Sequence, residues 1–307
     1  MTHIFIINPE AGESSIADDL RERLGRIEGL RFFIFVTRHK GYEFQLVQRI
    51  KHFFEGEQLR IYCCGGSGTM RNILSAYGDI SDAEFAFYPC GATNGFLATT
   101  GVPFERFRNI EALISGKAVE TDYIKTNHGI ALNTISVGLD ADFASELEKY
   151  ELLGATSSVV AFLASAFRTL LAKESHRYII TLDNFELDRY TSEFLFANGN
   201  TLGGVLTVSD NCNICDGKAS YLIGPKKRSF LAKPFLSALV NKNFDSIREK
   251  SDCGSAKHIT LRRTDGQPFS ASFDGEVYSD ITEIEAEVIQ RGLHFVMPAE
   301  QNWGVRL

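Results

Sequence analysis

The sequence is short of several features that mark particular classes of protein. Lysine and arginine number 32 against 39 aspartate and glutamate residues in 307, a net charge of −7. Without a basic excess to neutralise phosphates, nucleic acid is not expected as the main partner. Six cysteines are few for this length, so we expect reduced thiols in place of a disulfide framework. Cys212 and Cys215 have the spacing of zinc ligands, but no second pair follows nearby, which disfavours zinc.

Long apolar runs are also absent. The longest, Val159 to Leu171, is interrupted by Ser165 and Arg168 and is too short to span a bilayer. No apolar region of secretory length precedes Asn8-Pro9, so the expected location is cytoplasmic. The basic patch Lys226 to Arg228 leaves peripheral contact with a membrane open, although a solvated surface is the simpler interpretation. A homodimer is left open as well.

What is present, 44% hydrophobic and 23% charged residues, is typical of a globular protein with a sizeable core. Over residues 1–125, apolar runs alternate with segments of helical periodicity, which predicts an α/β domain with a parallel sheet. Over residues 126–289, short alternating runs separated by turn signals predict a mainly antiparallel β-sandwich. The run Leu293 to Met297 predicts a last strand that fits either domain, and residues 290–307 are taken as a segment that can complete the first.

Three predicted strands of the first domain end in glycine-bearing loops. The first is followed by Asn8-Pro9-Glu10-Ala11-Gly12, the third by Gly65-Gly66-Ser67-Gly68-Thr69 and the fourth by Pro89-Cys90-Gly91-Ala92-Thr93-Asn94-Gly95. In doubly wound sheets, ligands bind beyond the carboxyl ends of the strands, where all three loops fall. Glycines after the third strand bring backbone N–H groups and a helix N-terminus close to an anion. The alternative is a tight turn that needs its glycines for steric reasons only.

Together with Asp274-Gly275-Glu276, the order of these loops resembles the diacylglycerol kinase and sphingosine kinase catalytic family. The family pattern is Asn-Pro-x-x-Gly, Gly-Gly-Asp-Gly-Thr, Pro-x-Gly-Thr-x-Asn-Asp and Asp-Gly-Glu, and the resemblance spans nearly the whole chain. It includes Thr121-Asp122-Tyr123 and Cys215-Asp216-Gly217. The resemblance implies a nucleotide domain of the kind shared with NAD kinases and phosphofructokinases, a C-terminal β-sandwich, and ATP in the cleft between them.

The resemblance also implies roles for individual residues. Nucleotide contacts are implied for the loop residues Asn8, Gly65, Gly66, Ser67, Gly68, Thr69, Gly91, Thr93 and Asn94. Asp274 is the candidate general base on a lipid hydroxyl, with Glu276 as its acidic neighbour. Asp122 and Asp216 are candidate carboxylates of an Mg²⁺ network. Taken alone, Asp274-Gly275 would be interpreted as a hairpin turn.

Two positions depart from the family pattern in a way that bears on activity. Ser67 and Gly95 stand where the family has aspartates. A serine hydroxyl forms hydrogen bonds but does not supply the charge that holds a divalent cation. The first hypothesis is an ATP- and Mg²⁺-dependent kinase of diacylglycerol or a related lipid. The alternative is a kinase-like protein that binds a nucleotide or lipid without turnover. NAD kinase is a third interpretation, disfavoured because Pro89 to Phe96 followed by Val102-Pro103 aligns better with the lipid branch.

The spacing of apolar residues also predicts which further side chains are buried. After the second strand, Phe44, Phe53 and Phe54 are expected in the core. His39, in the loop before them, is assigned to the exposed surface in preference to the cleft. An apolar helix is predicted over Ser157 to Ala172, whose face either packs on the sandwich or opens toward a lipid acceptor.

Overall fold

The computed structural model describes residues 1–11, 16–39, 41–90, 94–138, 175–202, 206–207, 212–226, 234, 237 and 245–299. The helix predicted over Ser157 to Ala172 lies outside these residues. The described α-helices are α1 (Ile16–Gly25), α2 (Tyr42–Phe53), α3 (Ser67–Tyr77), α4 (Gly95–Thr99), α5 (Phe104–Phe107), α6 (Ile110–Ile114) and α7 (Asp245–Arg248). Within this part of the chain, no helix has the length and apolar character that crossing a membrane requires.

The strands of the first half are β1 (Thr2–Ile7), β2 (Phe32–Val36), β3 (Leu59–Gly65), β4 (Ala83–Pro89), β5 (Lys117–Thr126), β6 (Gly129–Ala131) and β7 (Thr134–Gly138). Those of the second half are β8 (His176–Leu182), β9 (Phe185–Thr191), β10 (Glu193–Ala197), β11 (Thr201–Leu202), β12 (Leu206–Thr207), β13 (Ala219–Ile223), β14 (Asp252–Ala256), β15 (His258–Arg263), β16 (Phe269–Phe273), β17 (Glu276–Ile281) and β18 (Glu283–Met297).

The N-terminal part is a parallel sheet with the strand order β2-β1-β3-β4. Every residue of β1 and β3 is buried, as expected of central strands with helices on both faces. The connections run through helices, so the carboxyl ends of β1, β3 and β4 meet at one edge of the sheet. The predicted α/β fold class is confirmed, and the three glycine-bearing loops are neighbours for this reason.

The long strand β18 joins the two halves of the molecule. Its residues 283–287 pair antiparallel with β15, while His294 and Phe295 pair in parallel with β4. The register against β5 shifts between Ile289 and Leu293, and Arg291 there has a positive φ of 52°. The run predicted as a separate last strand is thus the second half of a longer one, bent by an irregularity.

The C-terminal part is an antiparallel sandwich, as predicted. One layer is the continuation β18-β15-β8-β9 of the first sheet, and the other is a six-stranded sheet of order β14-β13-β10-β7-β16-β17. Their facing side chains form one core, in which Ile259 and Leu261 of the first layer and Phe194 and Phe273 of the second are essentially inaccessible to solvent. Burial between two sheets explains the alternating pattern of the sequence in this region.

One prediction about helix α2 is wrong in part. Phe54 is 2% exposed, but Phe44 is 46% and Phe53 77% exposed. The buried stripe consists of Leu46, Val47 and Ile50 together with Phe54. These positions lie on one face of a helix with 3.6 residues per turn, whereas the other two phenylalanines fall off that face.

His3, on β1, predicts a pH dependence of stability. Its Nδ1 lies 2.8 Å from the Tyr62 hydroxyl, and burial lowers the pKa of His3 from 6.5 to about 4. Between these pH values, His3 is protonated in the unfolded chain and neutral in the folded one. The free energy of unfolding therefore falls as the pH decreases from 6.5 to about 4. The expected loss is about 3 kcal/mol. Denaturant titrations of His3→Phe should lack this slope, and those of the exposed His52→Phe should retain it; an unchanged slope in His3→Phe would contradict the assignment.

Candidate functional site

The segment after β3 turns directly into α3, which begins at Ser67 with Gly66 as its N-cap. Thr69 therefore lies in the first turn of the helix. A β-carbon on Gly65 would come within 2.8 Å of the Thr69 side chain, so this position excludes any larger residue. The cap makes no side-chain hydrogen bond, which leaves the first N–H groups of α3 available to an anion.

Two asparagines tie the neighbouring loops to this helix start. Asn8, after β1, donates from Nδ2 to the Thr69 hydroxyl at 3.0 Å. Asn94, after β4, donates from Nδ2 to the Ser67 hydroxyl at 2.8 Å. The Oδ1 of Asn94 accepts from the Leu97 N–H at 2.9 Å and so caps α4. The structure therefore brings these four predicted site residues together, each held by a hydrogen bond that fixes its loop.

An acidic turn from the C-terminal half lies opposite the start of α3. The Glu276 Oε2 lies 3.4 Å from the point that a β-carbon on Gly68 would occupy. Both border a cleft of about 280 Å³, which is lined by residues of both halves: Asn8, Pro9, Glu10, Ala11, Thr37, Arg38, His39, Glu43, Gly66, Gly68, Thr69, Asn72 and Glu276. His39 is exposed, as predicted, and it also lines the cleft.

Asp274, at the same turn, holds three consecutive backbone amides. Its Oδ2 accepts from the Leu132 N–H at 2.8 Å, and its Oδ1 accepts from those of Asn133 and Thr134 at 2.8 and 2.9 Å. Its φ of 54° is left-handed, a conformation that aspartate tolerates better than most residues. Burial raises the pKa of the Asp274 carboxyl, while the three amides and the guanidinium of Arg71 act to lower it.

Arg71, which the sequence reasoning missed, connects α3 to the acidic turn. Its side chain is 4% exposed and lies 3.9 Å from the Glu276 carboxylate. It donates to the Tyr278 hydroxyl and to the His128 carbonyl oxygen, both at 2.5 Å, and its guanidinium lies 5.1 Å from the centre of the Phe273 ring. The Tyr278 hydroxyl in turn donates to Glu276 at 2.9 Å. No local pattern distinguishes such an arginine from a solvated one, because its partners are remote in sequence.

The proposed metal carboxylates lie elsewhere. Asp122 is inaccessible to solvent, and its oxygens accept from the N–H groups of Gly217 and Arg291 at 2.7 and 2.8 Å. Burial raises the pKa of Asp122. Asp216 is exposed and accepts from the Lys218 N–H at 3.0 Å, an Asx turn. Neither lines the cleft, and among the described residues no three His, Cys, Asp or Glu side chains are grouped as a metal would require.

The loop after β4 is described only in part. Gly91 and Thr93 lie outside the described residues. At Gly95, a β-carbon would come within 2.3 Å of the Asn133 Nδ2 and 3.2 Å of the Thr201 carbonyl oxygen. The Asn133 side chain thus occupies the space that a carboxylate at position 95 would need, and this departure from the family pattern is accommodated by packing.

Comparisons with known proteins show which sequences this chain is similar to. Residues 2–126 match the family model of the diacylglycerol kinase catalytic domain. Over 245 residues the chain is 24% identical to a protein of Staphylococcus epidermidis named "Putative lipid kinase", covering 79% of this chain and 78% of that one. A similarly named protein of Staphylococcus haemolyticus is 25% identical over 239 residues, covering 77% and 75% of the two chains.

Solved structures show the same fold. The crystal structure of "a putative diacylglycerol kinase" from Bacillus anthracis has a TM-score of 0.71 at 21% identity, covering 96% of this chain and 97% of that one. Yeast NADH kinase bound to NADH has a TM-score of 0.51 at 13% identity, covering 98% and 84%. The family resemblance seen in the motifs is confirmed, and the chain has the two-domain fold shared by diacylglycerol kinase-like and NAD kinase-like proteins.

Proposed function

We propose that the protein transfers a phosphate from ATP to a hydroxyl of diacylglycerol or a related lipid. The observation that carries the proposal is the position of Glu276, whose Oε2 lies 3.4 Å from a β-carbon built on Gly68 at the start of α3. Phosphoryl transfer needs a cradle for the phosphates and a group that activates the acceptor, with little covalent chemistry from the protein. The names of the relatives support a lipid as the acceptor.

In this proposal, the first amides of α3 bind the phosphates, and Asn8 and Asn94 hold that helix start in place. Asp274 is the general base. Its Oδ2 accepts a single N–H, from Leu132, so a lone pair remains for the proton of the acceptor hydroxyl. Burial raises the pKa of Asp274, which moves the carboxylate toward the range in which a base is effective near neutral pH.

Magnesium fits this site as a companion of the nucleotide. Of the predicted carboxylates, Glu276 lines the cleft, whereas Asp122 is held by backbone amides. Mg²⁺ is commonly held by one or two carboxylates together with substrate phosphates and water, so a preformed protein cage is not required. When bound, the cation would neutralise charge on the phosphates.

In this proposal, residues 1–125 form a nucleotide domain that residues 290–307 complete, and residues 126–289 form an acceptor domain. The second domain would receive the lipid, presented at a membrane surface.

The test is incubation of the purified protein with radiolabelled ATP, Mg²⁺ and diacylglycerol in mixed micelles, with a membrane lipid extract as a second acceptor. Labelled phosphatidic acid is the expected product, and NAD as acceptor is the control for the NAD kinase alternative. A protein that binds ATP but labels neither lipid preparation would contradict the proposal.

That outcome would favour a second candidate, a protein that binds the nucleotide without turnover. The observation in its favour is the loss of carboxylates at Ser67 and Gly95, the latter with Asn133 Nδ2 only 2.3 Å from a β-carbon. Restoring a carboxylate at position 95 is blocked by this contact, so Ser67→Asp is the informative variant. Activity gained by Ser67→Asp in an otherwise inactive protein would indicate descent from a kinase.

A further inference from the structure

One carboxylate in the cleft has no role in the chemistry proposed above. Glu43, in the first turn of α2, is 3% exposed. Its Oε2 is buried and has no hydrogen-bond partner among the residues that the structure describes. The residue lines the same cleft as Thr69 and Asn72 of α3. Glu43 therefore lines the proposed nucleotide site and carries a buried oxygen without a partner in the described part of the chain.

Such an oxygen needs a physical explanation. Burying a charged or polar group without a partner costs free energy, so native proteins pair nearly all such groups. The N-terminus of α2 favours a negative charge, but its N-cap is Gly41 without a side-chain hydrogen bond. Within the described part of the chain, Oε2 accepts from no backbone amide. The helix dipole accounts for the sign of the charge and leaves the missing donor unexplained.

The cleft itself indicates what the donor is. The anion-binding start of α3, with Gly66 and Gly68, forms one part of the wall, and Glu43 forms another. A carboxylate repels phosphates, so it must face a part of the ligand that is uncharged and rich in hydrogen-bond donors. In a nucleotide, this part is the nucleoside, whose base carries N–H groups and whose ribose carries O–H groups. Exposed Arg38 and His39 on the same wall offer flat surfaces against which a base can stack.

We propose that Glu43 accepts hydrogen bonds from N–H or O–H groups of the nucleoside and thereby sets the nucleotide preference of the site. This inference rests on the proposed function, because it requires a nucleotide in the cleft. It adds to that function a specificity residue on α2, outside the glycine-bearing loops. Desolvated charge-assisted hydrogen bonds of this kind discriminate strongly, since a ligand that lacks the donor leaves the carboxylate unpaired.

The experiment measures dissociation constants by calorimetry, without any acceptor. The proteins are the wild type, Glu43→Met, which has no acceptor atom of comparable strength, Glu43→Gln, which keeps a neutral one, and the control Glu55→Gln, an exposed carboxylate after α2. The ligands are ATP, GTP, purine riboside triphosphate without the exocyclic amine, 2′-deoxy-ATP, 3′-deoxy-ATP and inorganic tripolyphosphate. Thermal unfolding of each free protein verifies that it is folded.

Glu43→Met is expected to weaken ATP binding by about ten- to a hundredfold, with Glu43→Gln intermediate and Glu55→Gln unchanged. The analogue that lacks the contacted donor should bind the wild type weakly and lose little further affinity in Glu43→Met, which distinguishes base from ribose. Tripolyphosphate should bind all four proteins alike.

Three results would overturn the inference. If wild type and Glu43→Met bind ATP equally, Glu43 makes no contact, while the proposed function stands. If tripolyphosphate binding falls in parallel with ATP binding, Glu43 shapes the cleft and does not recognise the nucleoside. If the folded wild type binds no nucleotide at all, this inference and the proposed function fail together.

Discussion

Asp274→Ala is expected to lower the free energy of unfolding by about 3 kcal/mol or more. The substitution leaves the amides of Leu132, Asn133 and Thr134 without their acceptor, and each buried orphan costs about 1–3 kcal/mol. It also places alanine at a φ of 54°, which costs about 1–2 kcal/mol. Relief of the desolvation that raises the pKa of Asp274 offsets part of the loss. Urea titrations measure the difference.

Asp274→Asn separates the structural role from the chemical one. Asparagine tolerates the left-handed conformation and keeps one acceptor oxygen, so much of the stability should return. It is not a base at neutral pH, so lipid phosphorylation should still fall by about 10²–10⁴-fold. A stable Asp274→Asn protein with wild-type turnover would remove Asp274 from the role of base.

The matched control is Asp183, in the turn between β8 and β9. It has a similar φ of 52°, and its Oδ1 accepts from the amides of Lys257 and His258 at 2.9 and 2.8 Å, but it is exposed. Asp183→Asn is expected to lower the free energy of unfolding much less than the Asp274 variants do, because water replaces the lost acceptor at this exposed site. Turnover should be unchanged.

Arg71→Met is expected to lower the free energy of unfolding by about 3–5 kcal/mol, the typical cost of removing one partner of a buried ion pair. The change keeps the length of the side chain but removes the donors to Tyr278 and His128. Glu276, 3.9 Å from the guanidinium, then loses its positive neighbour opposite the start of α3. Nucleotide binding and lipid phosphorylation should both fall, because Arg71 no longer holds Glu276 opposite the start of α3.

Arg60→Met is the control for this prediction. Arg60 is also buried, donates to the Leu113 and Ile114 carbonyl oxygens and pairs with Glu84, but none of these partners belongs to the acidic turn or lines the cleft. It should show a comparable loss of stability, measured in urea, with unchanged nucleotide affinity in the fraction that is folded. If Arg71→Met behaves like Arg60→Met, then Arg71 supports the fold alone and does not position the acidic turn.

Local patterns explain why much of the fold was predictable. The parallel strands β1, β3 and β4 are short apolar runs buried on both faces, and the strands of the sandwich alternate with period two. Each glycine-bearing loop lies where a strand ends, and parallel connectivity alone brings those ends to one edge. This is why motif order predicts that these loops lie together, whereas the hydrogen bonds of Asn8 with Thr69 and of Asn94 with Ser67 are seen only in the structure.

The wrong predictions for Phe44 and Phe53 arose because the sequence does not show which face of the helix packs against the sheet. Phe44 and Phe53 fit an approximate helical spacing, but the stripe that meets the sheet is set by Leu46, Val47 and Ile50. A rotation of one or two positions on a helix decides burial, and this rotation depends on what the helix packs against.

The sequence by itself determined the order of the elements, the two fold classes and the loops that meet a ligand, because periodicity and turn chemistry act over a few residues. The tertiary structure alone decided which side chains face one another. Arg71 meets Tyr278 across a separation of 207 residues, and Asp274 meets Leu132 across 142. The orphaned oxygen of Glu43 is of the same kind, since a missing partner becomes visible only once every neighbour is in place.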